Sequence, residues 1–325
     1  MKLKFVSFLL GIFCLASHAA DISFEQLGQV YLETNINVIW NVPKNSVPSG
    51  LWVYRVVPTE FPASAISNLM AIGSFTEADK RSVPSDPHTL SFASSNGKRT
   101  LWIAPDLGYY SYADSEADNM NLPESVPDKR QVFELATNLL SKLDIDLSQL
   151  AKKDDQSDLR SYTTHAQALL YKGFNQAAYA TNTHMRGIYF VRSINGADFI
   201  GTGGRGGCMI EFGHDAKISR ITTSWRQLNK YKHYSVATPD VLLKRIEGGN
   251  AVYTSSSGNE INWASVKEIT INRVRPQYFG QVYSEVQKIV YPLAQIDAVA
   301  DFGYTNQSFQ LYCPILSINS VLKIK

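Results

Sequence analysis

The first 20 residues constrain this chain most, because they decide where it folds. Lys2 and Lys4 precede an apolar stretch over residues 5–15, broken by Ser7 and Gly11. Ser17-His18-Ala19 then sets small residues at the −3 and −1 positions for a cut between Ala19 and Ala20. This is the pattern of a secretory signal peptide. Its apolar core is shorter than the roughly 20 residues a spanning helix requires. The chain is therefore expected to be secreted, periplasmic or extracellular after cleavage near Ala19, with no membrane span once the leader is gone.

Export changes the charge balance. The full chain carries 31 Lys+Arg and 29 Asp+Glu, so losing Lys2 and Lys4 leaves no formal net charge. A nucleic-acid partner calls for a basic excess or a basic stripe. The short runs at Lys98-Arg99 and at Arg226, Lys230 and Lys232 sit among polar residues as solvated positions, and no nucleic acid is expected. The mature chain of about 305 residues suffices for one large domain or two ordinary ones. Cys14 leaves with the leader, and Phe13 before it lacks the small side chain of a lipid-attachment site. Cys208 and Cys313 remain, in an oxidising compartment. Pairing them would close a loop of about 105 residues, worth roughly 4–5 kcal/mol on chain entropy. Two buried free thiols fit the same sequence.

Along the chain, three regions are expected: the leader at 1–20, a mixed α/β region at 21–120, and an α+β region at 121–325. In the first folded region Leu51-Trp52-Val53-Tyr54-Arg55-Val56-Val57 predicts a strand, and Pro62 opens a helix through Ala65, Ile66, Leu69 and Met70. Segments 89–93 and 99–104 predict a hairpin around Asn96-Gly97, a pair suited to a type I′ turn. Residues 109–127, rich in acidic and polar side chains, predict a connector. Asp128 heads a helix with an apolar stripe of Phe133, Leu135, Ala136, Leu139, Leu140 and Leu143. Thr238-Pro239-Asp240 heads another, stopped by Gly248-Gly249. Strands are expected between and after these helices, with a turn at Asn195-Gly196. The order helix, strands, helix, strands predicts an α+β fold, with antiparallel sheets and helices packed on one face.

No catalytic signature emerges. Gly201-Thr202-Gly203-Gly204-Arg205-Gly206 matches GxGxxG in letters but leads into the strand-like Cys208-Met209-Ile210-Glu211-Phe212, where a dinucleotide site needs a helix start. The alternating Asp114, Glu116 and Asp118 lack the glycine and glutamate of a calcium loop. The histidines show no metal-ligand spacing, though His165 and His184 flank Tyr171, Phe174 and Tyr179, which could line a pocket. No cofactor, metal or catalytic residue is expected. Asn306-Gln307-Ser308 is a glycosylation sequon.

The ordered signals from 126 to 316 resemble PepSY-like repeats of secreted and envelope proteins, such as spore-germination proteins and extracytoplasmic regulators of a Gram-positive cell-wall two-component system. They are the helix into Leu143-Asp144-Ile145-Asp146 and Tyr189-Phe190-Val191-Arg192 with Asn195-Gly196. They continue with Ile210 to Ile218, Trp225, the helix after Thr238-Pro239, and the closing Phe309 to Pro314. The resemblance implies two helix-plus-sheet units in the C-terminal two thirds. It also implies a non-enzymatic, regulatory or inhibitory contact with another protein or envelope component. An exposed sheet edge or aromatic groove would be the natural surface, with Tyr189, Arg192, Trp225, Arg226 and Tyr231 as candidate binding residues. The alternative is a secreted hydrolase of polysaccharide or peptide.

Overall fold

The computed structural model describes residues 28–29, 36–43, 46–84, 86–117, 125–153, 158–171, 179–201, 206–255, 261–280 and 286–317. The leader at 1–20, Asp118 with the rest of the acidic run to 124, Phe174 of the His165/His184 pocket, and residues 202–205 of the glycine run lie outside them. The chain begins with β1 (Gly28–Gln29), β2 (Asn37–Trp40), β3 (Gly50–Val57) and helix α1 (Ala63–Gly73). Four strands follow: β4 (Lys80–Arg81), β5 (Leu90–Ala93), β6 (Arg99–Ala104) and β7 (Tyr109–Asp114). Helix α2 (Lys129–Lys142) leads to β8 (Ser161–Tyr171), β9 (Tyr179–Val191), β10 (Ser193–Ile194) and β11 (Ala197–Gly201). Next come β12 (Gly207–Phe212), β13 (Ile218–Ser224), β14 (Gln227–Ser235) and helix α3 (Pro239–Glu247). The chain closes with β15 (Val252–Ser255), β16 (Glu268–Gly280), β17 (Ile289–Val290), β18 (Pro292–Asp301) and β19 (Asn306–Pro314).

Three sheets result. An antiparallel sheet of eight strands runs β4-β5-β6-β7-β13-β12-β9-β8. A second runs β1-β15-β19-β18-β16-β11-β10, with β2 also paired to β16, and there β11 and β2 lie parallel to β16. The third is β14-β3-β17. Strands from both sides of residue 120 share the first sheet, because β7 pairs with β13 in register Tyr112 to Ile221.

The expected α+β fold with two repeated helix-plus-sheet units is corrected by this topology. The protein is mostly β, with three α-helices against 19 strands among the described residues. The physical reason is the length of its extended segments. β8 with β9 and β16 with β18 form long ladders that outrun the helices laid on them. Strands β11 and β2, far apart in sequence, complete the second sheet.

Packing follows strand periodicity. In β6, Leu101 and Ile103 are buried while Thr100 and Trp102 face out, as alternation demands. These residues join Phe92, Tyr110, Tyr112, Phe190, Ile210 and Ile221 against Leu69 of α1 and Val132, Ala136 and Leu140 of α2. Burying each such side chain contributes about 1.5–3 kcal/mol. A separate core holds Leu242 and Ile246 of α3 against Ile269, Ile271, Ile296, Phe309 and Leu311. A smaller cluster of Tyr54, Ala197, Phe199, Tyr278 and Val290 lies between the third sheet and the second. Cys208 and Cys313 are free, buried thiols in the two different large cores. The structure thus has no bridge between them.

Candidate functional site

The sequence-derived candidates divide between a buried seam and an exposed strand. Arg192 follows β9 and is only 4% exposed. Its Nε and Nη2 donate to Gln149 Oε1 at 3.1 and 2.7 Å, and its Nη1 donates to the Arg226 carbonyl at 2.6 Å. Its Cζ lies 4.5 Å from the Trp225 ring centre and 5.2 Å from that of Phe199. Burial pushes the guanidinium down to about 9, against the opposing pull of Asp146 and Tyr54. It stays charged at neutral pH, inside the protein. Arg226 extends the seam by donating from Nη1 to Gln287 Oε1 at 3.0 Å. Gln287 Nε2 in turn donates to the carbonyls of Phe279 and Ile289.

Glycine is required where this seam meets β7. Gly108 has φ +59°, and a Cβ there would lie 2.6 Å from the Arg226 Cα. Its carbonyl accepts from the Trp225 backbone N–H at 2.6 Å. Arg192, Trp225 and Arg226 are therefore brought together, but as a latch between sheets whose charged parts are turned inward. Tyr189 is elsewhere, half-buried on β9 opposite Met209 and Tyr162.

Tyr231 marks the exposed feature. It lies on β14, an edge strand of the third sheet whose residues are all exposed except the half-buried Leu228 and Tyr234. At its C-terminal end the Ser235 carbonyl accepts from the Ser317 N–H, and Val236 just beyond the strand bridges to Leu316. A bulge interrupts the register with β3 between Lys230 and Lys232. Cations and aromatics alternate across the pair. Arg55 stands over the Tyr231 ring at 4.7 Å and Lys232 Nζ lies 5.3 Å from it. Lys230 Nζ lies 5.1 Å from the Trp52 ring, which also meets His233 edge-on at 5.1 Å. Each exposed cation–aromatic contact contributes about 0.5–1 kcal/mol. Sequence reasoning found Tyr231 but missed Arg55 and Trp52. Their signal was the one charged residue inside an otherwise apolar strand, Leu51 to Val57.

Two further features bear on chemistry. A polar cleft of about 700 Å³ opens where β11 meets β16, lined by Lys152, Arg160, Asp198, Arg273, Arg275 and Gln277 among others. Arg160 is ion-paired with Asp198, and Arg275 Nη2 with the Asp297 carboxylate at 2.9 Å. The one group among the described residues with three clustered ligand atoms is Asp86, His88 and Asp106. Asp86 accepts from the His88 backbone and the Thr89 hydroxyl, and His88 Nδ1 lies 3.1 Å from Asp106 Oδ2. Hydrogen bonding to Asp106 raises the His88 imidazole above its ordinary value. These bonds fix the turn ahead of β5, and nothing beyond them points to a metal. Among the described residues no helix is long and apolar enough to cross a membrane.

Comparison with known proteins adds little to this geometry. No family model matches the chain, and no curated protein matches it. Among solved structures, an uncharacterized protein from Eubacterium rectale ATCC 33656, a crystal structure at 1.45 Å resolution, is similar over 88% of this chain and 90% of its own. The TM-score is 0.47 and the sequence identity 8%, a likeness that lends this chain no function.

Proposed function

We propose that the protein is a non-enzymatic binding module that receives an extended, acidic segment of a partner protein alongside β14. The observation that carries this reading is the strand itself, Gln227–Ser235, which lies at a sheet edge with most of its side chains in solvent. An edge strand presents a row of backbone N–H and C=O groups that an added strand can satisfy. The side chains choose which strand. Lys230 and His233 share a face with Trp52, whereas Lys232 and Arg55 gather at Tyr231. A second copy of this edge would set cation against cation, while acidic residues on an incoming strand would find a cation on either face. The bulge and the lysines also guard against self-pairing. In an exported protein the partner shares the envelope or extracellular space.

The hydrolase alternative requires a convergent acid and base. Among the described residues, the polar cleft offers one carboxylate in its lining, Asp198, and that group is bound to Arg160.

Fluorescence anisotropy with a labelled peptide alternating valine and glutamate tests the proposal. The expected result is binding that weakens with salt and falls about tenfold in a Lys230→Glu, Lys232→Glu variant. A valine–lysine peptide that binds equally well, or a variant that binds as the parent does, would overturn it.

A further inference from the structure

We infer that the protein pairs with a second copy of itself along the outer edge of β8, so that the first sheet continues across a twofold axis. This inference is independent of the β14 reading. The other sheet edges among the described residues are shielded. β4, at the opposite end of the same sheet, is two residues long, and both are exposed cations, Lys80 and Arg81. β1, β10 and β17 also span two residues each, and β2 spans four. β14 is longer but carries Lys230 and Lys232 with a bulge between them. Short strands, lysines and bulges are the devices that keep sheet edges from pairing with other chains.

The first half of β8 has none of them. The strand is 11 residues long and ends the eight-stranded sheet, and among the described residues no strand lies on its outer side. It contains no Lys, Arg, Asp or Glu. Its ladder with β9 holds register from Ser161 to Ala166 and shifts only between Ala166 and Gln167. Tyrosine and threonine in that segment suit a pleated strand. Tyr162, Thr163, Thr164 and His165 are all exposed. Strand alternation sends Tyr162 and Thr164 to one face and Thr163 and His165 to the other. The absence of charge selects the occupant. A second β8 laid antiparallel sets neutral side chains against neutral ones, with no like-charge repulsion to overcome. A charged strand finds no counter-charge on β8, whereas an acidic one finds cations at β14. A twofold axis normal to the sheet satisfies the same edge on both copies at once, the isologous contact of most homodimers. Tyr162, 54% exposed, is the large side chain that such a contact covers.

Analytical ultracentrifugation of the mature protein over about 1–100 μM tests this pairing. The parent is expected to sediment as a dimer at the upper end of that range. Tyr162→Lys with Thr164→Lys sets lysine opposite lysine whether the axis passes through Thr163 or Thr164, and should weaken the dimer about tenfold or more. Tyr162→Glu with Thr164→Glu should weaken it alike. Mixing the two variants, each folded by circular dichroism, should restore a dimer holding one of each. Lys230→Glu with Lys232→Glu should leave the parent dimer unchanged. A parent that stays monomeric throughout, a lysine variant that dimerises as the parent does, or a mixture that forms no mixed dimer would each overturn the inference. So would a dimer lost in the β14 variant, which would place the contact at that edge instead.

Discussion

At the scale of single residues, the interior holds charge where a sheet seam must be fixed. Arg192 satisfies its guanidinium with one side-chain oxygen and one carbonyl while stacking on Trp225. A lysine cannot reproduce that planar fork. Arg192→Lys is expected to cost about 2–4 kcal/mol, seen as a lower denaturation midpoint with an unchanged slope. A loss under about 0.5 kcal/mol would show that the latch contributes nothing. The two thiols make a different statement. Burial pushes Cys208 and Cys313 up from an ordinary 9.0 to about 12. Between those values the unfolded chain has released protons that the native state still holds. Stability therefore falls as pH rises through this window, by at most about 1.4 kcal/mol per thiol per pH unit. Burial also raises Tyr110, Tyr112 and Tyr278, which adds to the same decline above their ordinary 10.0. Replacing both cysteines by alanine should flatten the first part of that decline. A native protein that reacts with a thiol reagent as fast as the denatured one would contradict the burial that drives it.

At the scale of elements, local chemistry was legible wherever a cap or turn declared it. Asp128 accepts from the Gln131 N–H at 2.8 Å, and Gln131 Oε1 accepts from the Asp128 N–H at 2.9 Å. This reciprocal box starts α2 where the sequence placed it. Asp128→Ala should lower stability by about 1 kcal/mol, measured by thermal unfolding, and an unchanged midpoint would show that tertiary packing alone holds the helix start. Asn195 and Gly196 both take positive φ, 53° and 76°, as a two-residue hairpin turn asks. At the other asparagine–glycine pair only Gly97 does, at 69°. Asn96 instead accepts from the Ser94 hydroxyl and the Lys98 N–H, which makes a longer loop. Of the expected helix stripe, Ala136, Leu139, Leu140 and Leu143 are buried and Phe133 is half-buried, while Val132 joins them and Leu135 is 37% exposed. The connector expected at 109–127 begins as β7, a central strand with Tyr110 and Tyr112 fully buried. Its acidic neighbours downstream masked a tyrosine alternation that only the pairing with β13 makes decisive. The binding surfaces were less legible still. Tyr231 needs Arg55 from β3, and no local signal links residues so far apart.

At the scale of the molecule, the question is how two large cores come to act together. Cys313 and Cys208 report from separate interiors, one built on α3 and one on α1 and α2. Between the second and third sheets sits the small cluster around Tyr278, which is fully buried. Its ring meets Tyr54 edge-on at 5.3 Å and Phe199 at 5.5 Å, and its hydroxyl donates to the Trp52 carbonyl at 3.0 Å. Phe199 also lies beneath Arg192, so this cluster and the Arg192 latch meet at one point in the chain. Removing the Tyr278 ring would cost about 3–5 kcal/mol by analogy with other large aromatic deletions. That cost falls on the joint, because neither large core contains the residue. The parent protein should therefore unfold in one transition, with fluorescence and circular dichroism coincident. Tyr278→Ala should separate the transition into two, as each core melts at its own temperature. A variant that still unfolds in one step, merely at lower temperature, would place the coupling in the Arg192 and Gln287 hydrogen bonds instead. In that case Arg192→Lys, not Tyr278→Ala, should be the substitution that splits the transition.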